Sequence, residues 1–381
     1  MAPCRRKSRL AGALVVAGLV LAGCAVPGSV SPTTTRSSSS SSPTSPASPA
    51  SSTTTMEPSK RVFSQAFDSP ELTIAANGTY LTWLTSPPAV GVRTELARVD
   101  LTNGKILARR NLGAVYFEQA TSAAGSLWVA TSSSIDDSHA ETHLLRLDPT
   151  TLTLIRQWRF GLAAVGPPWP SRWLAVAGGG LWVAEGDHLL RLSLPSGHLV
   201  AAVPLPATAN SDVGANGAGS VLVDAYSNKY GTGFLQRRDP VTGRLLATSQ
   251  PIYGLVTPSI EAVLGSGAWV AVPTGMEGYV ARYDVTTLAP NLRHDFGGSN
   301  AISAKVADRL VWVVNPLQRT LCVDPSTGRV LGSVRFPRPN EDILVALGSR
   351  LLFYAAPGPG ADSFIEEEPI PTGCVLPPVT S

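Results

Sequence analysis

Ionisable side chains are scarce in this chain of 381 residues. Asp, Glu, Lys and Arg together make up only 15% of it, and there are five histidines and four cysteines. No G-x-S-x-G elbow, H-E-x-x-H helix or phosphate-binding G-x-x-x-x-G-K-[ST] loop occurs, so the common signatures of hydrolases, zinc peptidases and nucleotidases are missing. No C-x-x-C pair is present, which removes the usual zinc-ribbon and thioredoxin-like readings. Four of the 30 basic residues (Arg5, Arg6, Lys7, Arg9) precede Cys24 and none of the 27 acidic ones does, leaving 26 against 27 beyond it. With no basic excess or patch, nucleic acid is not an expected partner. Amphipathic stretches of helical period are absent as well, whereas 35 Gly and 32 Pro suit many short turns.

What is present begins with an address. The basic cluster is followed by an apolar run over residues 10–21, about a dozen residues where a membrane-spanning helix needs about 20. Leu21-Ala22-Gly23-Cys24 follows, which resembles the lipobox of bacterial lipoproteins. The resemblance implies cleavage before Cys24, a diacylglycerol on its sulfur, and a protein held at the outer face of a membrane. Residues 1–23 are thus expected to be a lipoprotein signal peptide. Cys4 falls inside that signal. Cys322 and Cys374 form an even pair in a compartment that permits oxidation, so a disulfide is expected, with two separate buried thiols as the alternative.

Residues 24–60 form the expected linker. From Ser29 onward it is mostly Ser, Thr, Pro and Ala, with few charges and no aromatic residue, and nothing in it offsets the entropy of ordering. As a flexible coil it spans on the order of 30 Å.

Residues 61–381 are the third segment, and one pattern recurs through it. Gly125-Ser126-Leu127-Trp128-Val129-Ala130, Gly180-Leu181-Trp182-Val183-Ala184, Gly219-Ser220-Val221-Leu222-Val223, Gly267-Ala268-Trp269-Val270-Ala271 and Leu310-Val311-Trp312-Val313-Val314 are copies of one strand. Weaker copies sit at Gly78-Thr79-Tyr80-Leu81 and Leu351-Leu352-Phe353-Tyr354. With the Trp slot at 81, 128, 182, 222, 269, 312 and 353, the repeats recur about every 45 residues, the period of propeller blades. The apolar run reads as an inner strand sandwiched between blades. The alternating Leu-Arg-Leu-Asp strand that follows reads as a more exposed one. Asp-Pro-x-Thr-Gly reads as turn chemistry, with Asp capping and Gly taking positive φ. The expected fold is all-β, a seven-bladed propeller of four-stranded antiparallel blades, with residues 61–67 supplying the last strand of blade seven and leaving no open sheet edge. The repeat resembles those of the YVTN-like and quinoprotein-like bacterial propellers, a resemblance that implies fold and not activity. A lipobox followed by a propeller is also similar to Gram-negative outer-membrane assembly lipoproteins, whose eight blades and missing stalk do not match.

Candidate sites are few. Ten residues before the Trp slot lie Glu71, Glu118, Arg172 and Asp212, with Glu261 near that place in blade five. Charged groups at one offset around a ring can line the mouth of the channel and bind a cation or polar ligand; loop residues facing bulk water are the plainer reading. His139, Glu141 and His143 alternate, so on a strand they share one face and can hold a divalent metal; the plainer reading is a solvated hairpin tip of blade two. No organic cofactor and no catalytic residue is indicated. The expected function is a monomeric, membrane-anchored scaffold of the cell envelope whose partner is a protein or a small ligand. The alternative is a propeller enzyme, similar to the virginiamycin-inactivating lyases, with its site at the central channel.

Overall fold

The computed structural model describes residues 60–374 except 86–92, 137–138, 165–173, 186–187, 206–212, 216–218, 228–231, 254–257, 274–276, 298–302, 308, 315–319, 335–341, 348–349 and 356–362. The signal, Cys24 and the linker up to residue 59 lie outside the described residues. Among those described there is no helix; 29 strands form seven antiparallel sheets.

Blade one comprises Asp68–Ala75, Gly78–Thr85, Arg93–Asp100 and Lys105–Gly113, and blade two Tyr116–Ala123, Ser126–Asp136, His139–Leu147 and Leu154–Ala164. Blade three is Leu174–Ala177, Gly180–Glu185, His188–Ser193 and Leu199–Pro204. Blade four is Val213–Ala215, Val221–Ser227, Thr232–Arg238 and an interrupted outer strand, Leu245–Thr248 with Ile252–Tyr253. Blade five is Ser259–Leu264, Gly267–Pro273, Glu277–Asp284 and Pro290–Gly297; blade six is Ser303–Ala307, Leu310–Val314, Thr320–Val323 and Val330–Val334. In blade seven Asp342–Leu347, Arg350–Ala355 and Phe364–Pro369 are completed by Lys60–Arg61, in register with Glu367 and Glu366. The expected closure is therefore present. Val62 and Phe67 continue it by donating N–H bonds to Ile365 and Ser363, while Phe63 and Phe67 bury against Trp83 of blade one.

The first strand of each blade touches the first strand of the next, and that of blade seven touches that of blade one, so these seven strands surround the channel. The Trp run is the second strand of each blade, an inner strand packed between neighbouring blades as the sequence suggested. Pairing moves the Trp slot in two blades. Tyr80 faces Thr73 as Trp128 faces Thr121, and Leu352 occupies the equivalent place in blade seven, so the slot is at 80 and 352 rather than 81 and 353.

The hydrophobic core consists of seven layers, one in each gap between blades. Trp182 packs with Val221 and Val223 of blade four, and Trp269 with Val311 and Val313 of blade six. Burying such side chains contributes roughly 1.5–3 kcal/mol each, and because each layer needs both neighbours, the ring is stable only when closed.

Polar latches accompany the layers. Tyr80 Oη donates to Pro149 O (2.9 Å), Trp182 Nε1 to Pro240 O (3.2 Å), Arg146 Nη1 to Pro195 O (2.7 Å) and Arg282 Nε to Pro325 O (2.8 Å). Each acceptor is the proline carbonyl in the turn between the third and fourth strands of the next blade. The aspartates of those turns do what the sequence predicted. Asp148 Oδ1 accepts from the N–H groups of Thr150 (2.9 Å) and Thr151 (2.7 Å) and from the Thr151 hydroxyl (2.9 Å), and Asp239 and Asp284 repeat the arrangement. Hydrogen bonds from Thr151 hold the Asp148 carboxyl below its ordinary range. Each turn ends on a residue of positive φ. It is glycine at 104, 197, 243 and 328, but leucine at 152 and 288, both with φ 58°.

Candidate functional site

The channel candidates come first. Glu71, Glu118 and Glu261 all lie on innermost strands, and Arg172 and Asp212 lie outside the described residues. The three do not share one structural position. Glu118 is the extra residue of a bulge between Phe117 and Gln119, and Glu261 that of a bulge between Ile260 and Ala262, closer to the Trp slot. Glu71 pairs with Thr82 as Gln119 pairs with Ala130, so its counterpart in blade two is Gln119. A constant sequence offset misses this because each bulge inserts a residue at a different height. Gln119 and Glu261 reach the next blade. The Gln119 amide donates to Leu174 O (3.2 Å) and accepts from Leu174 N (2.7 Å), while Glu261 Oε2 accepts from Ala304 N (3.4 Å). Leu174 and Ala304 both pair with the residue after the Trp slot, so this is one latch used twice between neighbouring first strands.

The metal candidate lies on the third strand of blade two. Glu141 and His143 meet as expected, His143 Nε2 standing 3.3 Å from Glu141 Oε2; the side chain of His139 is not described. Among the described residues no three metal-ligating side chains converge. His143 is buried and both its nitrogens are engaged, Nδ1 with Gln157 (3.0 Å) and Nε2 with Ser133 Oγ (3.4 Å) as well as Glu141. Burial pushes its pKa down, opposed by Glu141 and reinforced by Arg159, so the neutral imidazole is favoured. A serine beside a histidine invites comparison with a nucleophile and its base. In a working triad, however, the orienting carboxylate holds the nitrogen opposite the serine, and here both share Nε2. His143 and Gln157 also line a cavity of about 100 Å³ between blades one and two, completed by Arg110, Asn111, Thr131 and Leu154.

Sequence reading missed the neighbours of this pocket. Glu95, buried on the third strand of blade one, accepts from Arg109 Nε (2.9 Å) and Asn111 Nδ2 (2.9 Å), and the Arg109 guanidinium lies over the Trp83 ring. Glu185 ends the second strand of blade three, where burial raises its pKa to about 7. His294 stacks flat on Trp269 (4° between planes), a packing role.

The expected disulfide is present. Cys322 and Cys374 are bonded, with Cα atoms 5.8 Å apart and 52 positions apart in sequence, and both are buried. The bridge ties the segment after the last strand to the third strand of blade six.

The geometry defines a seven-bladed β-propeller whose described ionisable groups serve mainly turns and inter-blade latches. No protein-family model matches the chain, and no curated protein does. Among solved structures it is similar to BamB from Moraxella catarrhalis at 12% identity, over 82% of this chain and 99% of that one, with TM-score 0.48. It is also similar to the WD40 domain of Toxoplasma gondii coronin at 13% identity, over 84% of this chain and 89% of that one, with TM-score 0.55. At such identities the likeness to the coronin domain is one of fold alone.

Proposed function

We propose that this chain is a lipid-anchored, extracytoplasmic binding or assembly scaffold of a bacterial cell envelope. The signal over residues 1–23 directs export, Cys24 carries the lipid, and residues 24–60 hold the propeller away from the membrane. The observation that carries this reading is the join between an export signature and a ring closed by residues directly after the linker. The propeller begins at Lys60–Arg61, the outermost strand of blade seven. The Cys322–Cys374 disulfide supports an oxidising compartment. Glu95, His143, Gln119 and Glu261 are each engaged within the propeller.

The test is cross-linking in intact cells followed by purification of the anchored protein and of a secreted form lacking Cys24. A scaffold yields a defined envelope partner that depends on anchoring. Recovery of the propeller without a partner, together with turnover of an envelope metabolite at the channel, would replace the scaffold reading with an enzymatic one.

A further inference from the structure

The gap between blades one and two is filled differently from the gap between blades four and five. In blade five the residue three beyond the Trp slot, Val272, pairs with Tyr279, and both pack into the apolar layer against blade four. At the same two positions blade two has Thr131 and His143, which pair, are buried, and line the cavity of about 100 Å³. An apolar pair closes such a gap, whereas buried polar groups cost stability unless they are hydrogen-bonded. Here the space is left open and its polar walls are bonded.

The size and chemistry of the cavity limit what fits. It is smaller than the roughly 150 Å³ that holds a benzene ring, so it suits a molecule of about five non-hydrogen atoms. Leu112, Val115, Leu145 and Leu154 contribute apolar surface. Among the described residues that line it, only Arg110 carries a permanent charge. Arg110 Nη1 donates to Leu152 O (3.2 Å), which fixes the guanidinium and uses one of its five N–H groups. Asn111 is held on both sides, its Nδ2 donating to Glu95 Oε1 (2.9 Å) and its Oδ1 accepting from Gly113 N (2.7 Å). Gln157 Nε2 donates to His143 Nδ1 (3.0 Å), so the imidazole proton sits on Nε2, 3.3 Å from Glu141 Oε2. Burial favours the neutral imidazole, which therefore adds no second cation. The carboxylates bonded to these walls do not line the cavity, and each has its own cation: Glu95 has Arg109 at 2.9 Å and Glu141 has Arg159 at 4.0 Å. A fixed guanidinium, amide groups and alkyl walls are thus in place before any ligand arrives, which lowers the cost of binding.

We propose that this cavity binds a small aliphatic monocarboxylate, its carboxylate on the Arg110 guanidinium and its alkyl chain against the leucines. A planar guanidinium matches a carboxylate with two parallel N–H bonds. A cation would be repelled by Arg110, and a neutral molecule would displace water from it without supplying charge. Inorganic phosphate satisfies the guanidinium but leaves Leu112, Leu145 and Leu154 without a partner. The proposal does not depend on the lipid anchor.

The test is titration of residues 25–381, which keep every strand of the closed ring, with sodium propionate, followed by calorimetry and by amide NMR shifts. Propionate should bind and move the amides of Arg110, Asn111 and Thr131. It should bind about 4-fold more tightly than acetate, through its extra buried CH2. Propionamide, of the same shape without the charge, should bind at least about 10-fold more weakly, and Arg110→Gln should weaken propionate by a similar factor. Should Arg110→Gln misfold, the wild-type chain still decides, through propionamide and the map of shifts. No binding of propionate, equal binding of propionamide, or shifts confined to another part of the propeller overturns the proposal. Phosphate binding as tightly as propionate overturns it too, because the alkyl walls would then contribute nothing.

Discussion

Replacing Gly197 with alanine tests how the blades fit together. Gly197 ends the turn between the third and fourth strands of blade three, with φ +69°, and a Cβ there would stand 2.1 Å from Trp158 Cζ2 and 2.6 Å from Cη2. Two costs follow. Left-handed backbone costs a non-glycine residue about 1–2 kcal/mol. Forcing a methyl into a filled layer costs about 1–3 kcal/mol more, because Trp158 is stacked on Trp128 at 5.3 Å and cannot retreat freely. Gly125→Ala is the control that separates them: its φ is +72°, yet a Cβ there meets nothing within 4 Å. In a domain of this size 1 kcal/mol shifts Tm by about 2–4 °C. Gly125→Ala should therefore lower Tm by about 2–8 °C and Gly197→Ala by about 4–20 °C, read by differential scanning calorimetry. Trp158→Leu in the Gly197→Ala background should recover part of the difference. Equal losses for the two alanine variants would refute the account of the turn as a wedge fitted to its neighbour.

Three further outcomes follow from the same structure. Removing the disulfide with Cys322→Ser and Cys374→Ser together should cost about 4 kcal/mol by loop entropy, checked by denaturant titration, and thiol titration of unreduced protein should find neither cysteine free. Deleting residues 60–67 should open blade seven and lower Tm sharply or cause aggregation, whereas deleting residues 37–52 of the linker should leave Tm unchanged. Glu185 favours its protonated form in the folded protein, so its contribution to stability is fully present below its unfolded pKa and fades as pH rises from about 4.5 to about 7; Glu185→Gln should flatten that part of the curve of Tm against pH.

The blade count, the closure and the turn chemistry were legible because each leaves a mark of residue type. Trp128, Trp182, Trp269 and Trp312 share one buried slot, and Asp-Pro-x-Thr-Gly permits little besides a turn. Legibility ended where position depends on pairing. Tyr80 and Leu352 fill the Trp slot without resembling Trp, and bulges of different height shift Glu71, Glu118 and Glu261 out of line. The first strands carry no distinctive residues, so the channel residues were sought by a fixed offset from the Trp slot. The fit of the turns was equally hidden. Where the preceding blade offers Trp158 or Val203 the turn ends in glycine; where Leu152 and Leu288 end it, each sits in a layer beside a small residue, Ala108 and Ala247 respectively. The side-chain clusters around Glu95 and His143 depend on contacts between strands and across blades, which no run of residues reveals.

The central claim is that the propeller hangs from a lipid on Cys24, and labelling cells with radioactive palmitate tests it most directly. The wild-type chain should take up label and sediment with membranes. Cys24→Ala should take up none and either leave the membrane or stall with its signal attached, while its Trp-rich core keeps the melting temperature of the unmodified propeller. Label that persists in the Cys24→Ala chain would contradict the anchor and the scaffold reading built on it.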